Sequence, residues 1–233
     1  MIKLPVHILL IVKNNEVTLN LHSKIDHIVI ASLSLDEGVK YVYETLGVMP
    51  KHGGVHMRMG THNSLLRLDN STYLEVIAIN PDAPKQGRPR WFALDKPGEN
   101  SKPKLLTWVA RTNDIKLATK NSRALFGDIV PMNRADLNWL ITIPDDGSLP
   151  CSGICPSLIQ WLNEPHPALN LPDSGRSLIG IEGYHQEAKQ ISETLQRIGF
   201  EGKFSVSSLA HSEKPYLILH IQTPYGIRRF ESQ

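Results

Sequence analysis

Lys24-Ile25-Asp26-His27-Ile28-Val29-Ile30-Ala31-Ser32 is the stretch from which the rest of the chain can be read. Its β-branched residues make a strand, and a strand apolar on both faces is one covered on both sides. On a regular pleat His27 shares a face with Ile25 and Val29, while Ile28 and Ile30 point the other way. His27 therefore faces a walled space, either as a satisfied core histidine or as the first ligand of a site.

Outward from this strand the elements fall into a repeating order. Ser34-Leu35-Asp36-Glu37 has the spacing of a capping box, with the serine hydroxyl and the glutamate serving the open amides of a helix start. Leu35, Val39, Val42 and Leu46 then lie on one helical face, and Gly47 supplies a left-handed stop. A strand through Leu65, Leu66 and Leu68, a turn at Asp69-Asn70-Ser71 and a return strand over 73–79 follow. The same order recurs from Leu105-Leu106-Thr107-Trp108-Val109-Ala110, with Asp114 as cap and Gly127 as stop. Ser34 to Gly47 and Asp114 to Gly127 both span 13 positions. This predicts helices near 35–46 and 114–126. Strands are expected at 129–132, 137–143 and 157–161. A weaker third copy starts at Ser177, with Ala188, Ile191, Leu195 and Ile198 on one helical face and strands at 216–221 and 227–230. The expected organisation is an N-terminal extension (1–23, an edge hairpin), a first unit with linker (24–104), a second (105–175) and an incomplete third (176–233).

Composition bounds the function. The 233 residues are 41% hydrophobic and 21% charged, which excludes a disordered chain. Lys and Arg number 25 against 23 Asp and Glu, a net +2 that argues against nucleic acid or an anionic membrane as main partner. Cys151 and Cys155 can make neither a disulfide framework nor a closed zinc site alone, and read as free thiols of a cytoplasmic protein. The apolar run at 6–12 follows Lys3 like a secretory h-region, but it is too short to span a bilayer and no small-residue cleavage site follows. Its other reading is an edge strand paired with Val17-Thr18-Leu19 across Asn14-Asn15.

Duplicated βαβββ units, each curling a sheet around a cavity, resemble the vicinal oxygen chelate superfamily (glyoxalase, bleomycin resistance and dioxygenase proteins). More narrowly, Asp26-His27-Ile28-Val29, the segment from His52 to Asn63, and Tyr73-Leu74-Glu75-Val76-Ile77-Ala78 are similar to the glyoxalase-like domain. Pro89-Arg90-Trp91-Phe92-Ala93-Leu94 and Gln160-Trp161 with Pro165-His166-Pro167 also fit it. The likeness covers about residues 24–231. It implies an α+β fold with curved mixed sheets around a cavity and helices outside.

The resemblance also implies a site. The superfamily holds a metal on the first and last strands of two units, and His27 and Glu75 stand at those positions of the first. Either would be a ligand, and Glu75 a candidate general base as well. The second unit departs from the pattern: Thr107 and Gln160 stand at the matching positions, suited to hydrogen bonding a ligand and poor for a metal. His56 could fill the gap from a Gly-rich loop whose Gly53, Gly54 and Gly60 let backbone approach a ligand. His27, His56 and Glu75 would then hold zinc, iron, nickel or manganese with positions open for substrate. The alternative is a cavity without metal, in which His56, Thr61 and Asn63 bind an organic molecule. The two functions that remain are a metal-dependent lyase, isomerase or dioxygenase acting on a small oxygenated compound, and a metal-free protein that sequesters a drug-like or metabolite ligand. A small organic molecule is the expected partner, with a homodimer left open.

Overall fold

The computed structural model describes residues 11–13, 16–18, 21–96, 102–120 and 122–233. Two short strands, β1 (Ile11–Lys13) and β2 (Glu16–Thr18), pair antiparallel with Val12 opposite Val17. Residues 6–10 of the run read as an h-region or edge strand lie outside the described residues.

The first unit runs β3 (Ser23–Ala31), α1 (Leu35–Leu46), β4 (Lys51–His56), β5 (Thr61–Arg67) and β6 (Tyr73–Ile79). The second runs β7 (Lys104–Thr112), α2 (Ile115–Thr119), α3 (Arg123–Phe126), β8 (Asp128–Arg134), β9 (Leu137–Ile143) and β10 (Ser157–Trp161). Within each unit the first strand pairs parallel with the last, and β3 and β7 pair antiparallel between the units. The result is one eight-stranded sheet in the order β4-β5-β6-β3-β7-β10-β9-β8. The two βαβββ units are thus joined back to back.

Local sequence explains the helices. The Ser34 side chain accepts from the Glu37 amide, and Gly47 closes α1 at φ 68°. Asp114 likewise accepts from the Leu117 amide to start α2. The helix expected over 114–126 is two short pieces, because a new start at Ser122, with φ −140°, interrupts it. Serine competes with helix backbone in an interior and favours such starts.

The segment read as an incomplete third copy runs β11 (Ser177–His185), α4 (Ala188–Arg197), β12 (Phe204–Ser208), β13 (Tyr216–Thr223) and β14 (Gly226–Glu231). Its element order matches the others, but its pairing does not: β11 lies between β12 and β13, giving the order β12-β11-β13-β14. This sheet packs against the convex back of the large one. Leu217, Leu219, Ile221 and Phe230 share a buried core with Ile28, Ile30, Trp108, Val42 of α1 and Ile191 of α4. A second core, with Val29, Ile77, Val109, Trp139 and Ile141, lines the concave side. The large sheet curls until its two outer edges meet, where the Arg58 guanidinium donates to the Pro131 carbonyl at 2.8 Å. No helix among the described residues is long and apolar enough to cross a membrane.

Candidate functional site

The concave face holds a pocket with about 350 Å³ of empty space, its open mouth included. His27, Tyr73 and Glu75 reach it from the central strands, and His56 and Asn63 from β4 and β5. Four aromatic rings, Trp91, Phe92, Trp139 and Trp161, and the side chain of Arg134 complete the wall.

His27 comes with a neighbour that strand alternation would have put on the other face. The β3–β7 pairing shifts register between Ile25 and His27. Such a bulge lets one strand carry an extra residue and re-aims its side chains. Ile25 therefore packs with Ile28 and Ile30 on the convex side instead of sharing a face with His27, which corrects the pleat reading. The Asp26 carboxylate, wholly buried, lies 2.7 Å from His27 Nδ1. Trp161 Nε1 donates to its other oxygen at 2.9 Å and His166 Nε2 meets that oxygen at 3.0 Å. Arg111 stands 3.8 Å away. Burial alone would raise the Asp26 pKa, but the hydrogen bonds from His166 and His27 hold it well below the usual carboxylate range. An ionised Asp26 can only accept, so His27 carries a proton on Nδ1 and turns Nε2 toward the cavity and Glu75. The Tyr73 ring stacks on the imidazole at 4.7 Å.

Opposite His27 Nε2, at 3.5 Å, is Glu75 Oε2. The other Glu75 oxygen accepts from Asn63 Nδ2 at 2.5 Å, and Asn63 Oδ1 accepts from Arg134 Nη1 at 3.0 Å. Arg134 Nη1 also approaches His56 Nε2 at 3.4 Å, while His56 Nδ1 is 3.1 Å from Thr61 Oγ1. A guanidinium can only donate, so His56 accepts at Nε2 and donates from Nδ1 to Thr61. Burial first, then the Arg134 charge, push the His56 imidazole down to about 3, which keeps it neutral. One chain of contacts thus runs Arg134, Asn63, Glu75, His27, Asp26, His166.

His27, His56, Asn63 and Glu75 meet in one cavity, and Thr61 stands behind His56. Thr107 and Gln160 do not join them. Thr107 is buried with its hydroxyl donated to the Gly153 carbonyl at 3.0 Å. The count that pointed to it fails because the step from strand to helix is shorter in the second unit: Val109 pairs with Ser157 on the last strand as His27 pairs with Tyr73, so Val109 and not Thr107 matches His27. Gln160 Oε1 accepts from the Ile115 amide at the start of α2, while its neighbours Ile159 and Trp161 face the cavity. The Gly-rich segment is a hairpin, not a loop, and its glycines make room for side chains rather than for a ligand. A Cβ at Gly53 would lie 2.3 Å from Asn63 Oδ1, and one at Gly54 2.9 Å from Arg134 Cδ.

The donors present do not suit the superfamily's divalent metal. His27 and Glu75 offer two ligands, but the second unit presents Ile141 and Ile159 to the cavity. The His56 lone pair faces a guanidinium, whose charge would oppose a cation there. Among the described residues no group of three or more His, Cys, Asp or Glu side chains could hold a metal ion.

Asp26, Tyr73, Trp91, Arg134, Trp139 and His166 were not singled out as site residues from the sequence. Asp26, Tyr73, Trp91 and His166 sit inside the motifs shared with the glyoxalase-like domain, which was the available signal. Nothing in the sequence marks Arg134. Trp91 and Phe92 come from a turn in which Phe92 and Ala93 have φ of 58° and 54°. Left-handed backbone at non-glycine residues costs about 1–3 kcal/mol each and concentrates at functional sites. The Ala93 amide donates to the Gly147 carbonyl at 2.7 Å, which fixes this turn against the second unit.

A family model described as Glyoxalase-like domain matches residues 25–199. Among solved structures, a hypothetical protein from Staphylococcus aureus superposes with a TM-score of 0.57 at 15% identity, over 80% of this chain and 86% of that one. A methylmalonyl-CoA epimerase variant from Streptomyces coelicolor, in complex with 2-nitronate-propionyl-CoA, gives 0.42 at 18% identity, over 62% and 100%. Methylmalonyl-CoA epimerase from Mycobacterium tuberculosis gives 0.39 at 18% identity, over 60% and 88%. No curated protein matches the sequence. At these identities the first of the structures supports the fold alone.

Proposed function

The chain belongs to the glyoxalase-like domain family, and on that premise we propose that its cavity binds a small organic compound and exchanges a proton with it through His27. One observation carries the reading: the His27 ring is fixed at Nδ1 by a buried carboxylate, with Nε2 facing the cavity and Glu75 at 3.5 Å. A histidine oriented in this way is a general base whose imidazolium is stabilised from behind. Asp26 holds the tautomer, and Glu75 either shares the transferred proton or passes it on. The aromatic walls bury the apolar part of the ligand, as in small-molecule pockets generally. No step requires a metal, since the proton acceptor is in place without one. Cys151 and Cys155 are free thiols, which supports the cytoplasmic location we assign.

A deuterium-exchange screen tests this. The protein is incubated in D2O with 2-oxo acids, β-keto acids and acyl thioesters, and loss of the α-proton is followed by NMR. Exchange that disappears in His27→Gln supports proton transfer at this site. Ligand binding without exchange for any of these classes would leave a sequestering protein, and failure to bind any of them would end the reading.

A further inference from the structure

We infer that Arg134 and the Trp91 indole N–H form an anion subsite in the wall of this cavity, so that the compound it takes is a carboxylate. The inference rests on the preceding reading that the cavity binds a small organic molecule, and it adds the class of that molecule.

Two donors in the cavity wall lack an acceptor that suits them. Trp91 is only 4% exposed, and its Nε1 is buried with no hydrogen-bond partner. A buried donor left unpaired costs about 1–3 kcal/mol, so such a group in a cavity wall points to an absent acceptor. Arg134 is the second. Its Nη1 reaches the neutral groups Asn63 and His56, and among the described residues no carboxylate lies within ion-pair distance of it. The half-buried arginines at 90 and 111, by contrast, each have one.

Both donors flank the same imidazole. The His56 ring meets Trp91 edge to face at 4.9 Å and presents Nε2 to Arg134 at 3.4 Å. Because His56 is neutral, it screens neither donor with charge. An oxyanion placed beside His56 would accept from the guanidinium and the indole together, and a carboxylate has the two oxygens to do so. Among the described residues Glu75 is the one carboxylate on this wall, and Asn63 stands between it and Arg134, donating to Glu75 and accepting from Arg134. The ligand charge is therefore answered by Arg134, with Glu75 held back by an amide. The neighbouring rings Trp139 and Trp161 pack against each other at 5.3 Å with their planes tilted by 47°, and give the ligand an apolar wall. An organic body against this wall, with its acid group toward Arg134, fits both chemistries.

Benzoate and benzamide make the test, being nearly the same shape and differing in charge at neutral pH. Affinities are measured by NMR line-broadening or calorimetry for the wild type, Arg134→Gln, Arg134→Lys and Trp91→Phe. The expected result is benzoate binding about 10-fold to 100-fold tighter than benzamide in the wild type. That ratio should collapse to about one in Arg134→Gln and partly return in Arg134→Lys. Trp91→Phe, which keeps the ring and removes the donor, should weaken benzoate by about threefold to tenfold. Thermal unfolding of each variant separates loss of the subsite from loss of the fold. Equal binding of benzoate and benzamide by the folded wild type would overturn the anion subsite and leave the pocket reading standing. Binding of neither would overturn both.

Discussion

Asp26→Asn preserves shape while removing one buried charge, and it should turn the His27 ring electronically inside out. In the native protein Asp26 accepts on both oxygens, from His27 on one side and from Trp161 and His166 on the other. An Asn side chain keeps one accepting oxygen, and the two donors on the far side will hold it. Its amide then faces His27 Nδ1, which must accept, so the ring proton moves to Nε2 and the cavity loses its lone pair. The bonds from Trp161 and His166 fall from the charged range of about 1.5–3 kcal/mol to the neutral range of about 0.5–1.5 kcal/mol each. That is a loss of about 2 kcal/mol for the two, partly offset because a charge is no longer buried. The pH dependence has a definite sign. Folding holds the Asp26 pKa below the unfolded value of about 3.9, so its contribution is full at neutral pH and is lost as pH falls through and below that value. The gap between wild type and Asp26→Asn in urea unfolding should therefore narrow from pH 7 to pH 3.5. Nitrogen-15 NMR of the His27 ring reads the tautomer directly, and any deuterium-exchange activity should fall on the order of 10⁴-fold. A variant ring that keeps its proton on Nδ1, or a stability gap that does not change with pH, would refute the reasoning.

Gly53→Ala should cost about 1–3 kcal/mol in denaturant unfolding, because the new methyl would meet Asn63 Oδ1 at 2.3 Å and dislodge the Glu75 support. The His56 ring should remain neutral by NMR from pH 8 to pH 5, since burial and Arg134 hold it at about 3. Its unfolded pKa is about 6.5, so unfolding takes up a proton below that pH and the protein should lose stability on acidification, less so in His56→Gln. Phe230→Ala should lower stability by about 3–5 kcal/mol, since this buried ring, edge-on to Tyr41 at 5.3 Å, fastens the small sheet to α1.

The parts of the molecule legible in the sequence were those written in local periodicity. Ser34 and Gly47 bounded α1, the repeated element order located the two units, and the family resemblance pointed to His27 and Glu75, which meet in the cavity. What escaped depends on chain elements far apart or on breaks in the pleat. The bulge at Asp26 has no signature in a run of β-branched residues, so Ile25 was placed on the face of His27 and the carboxylate behind the ring went unread. Arg134 enters the cavity only because the sheet curls and brings β8 to β4, a tertiary event with no local pattern. Gln160 was misplaced by one position, although its apolar neighbours Ile159 and Trp161 could have shown which way it turns. The pairing of β11 between β12 and β13 is a choice among strands that element order alone leaves open.

The back-to-back joining of the units at β3 and β7 has an evolutionary consequence. The groups proposed to move a proton stand on β3 and β6, while Trp139, Ile141, Ile159, Trp161 and Arg134 stand on β8, β9 and β10. A duplicated ancestor with two equal halves could let one keep the reactive pair and release the other to become a mould. Substitutions in the mould change which compound fits without touching the histidine, so ligand preference can drift under selection while the reactive half stays constant.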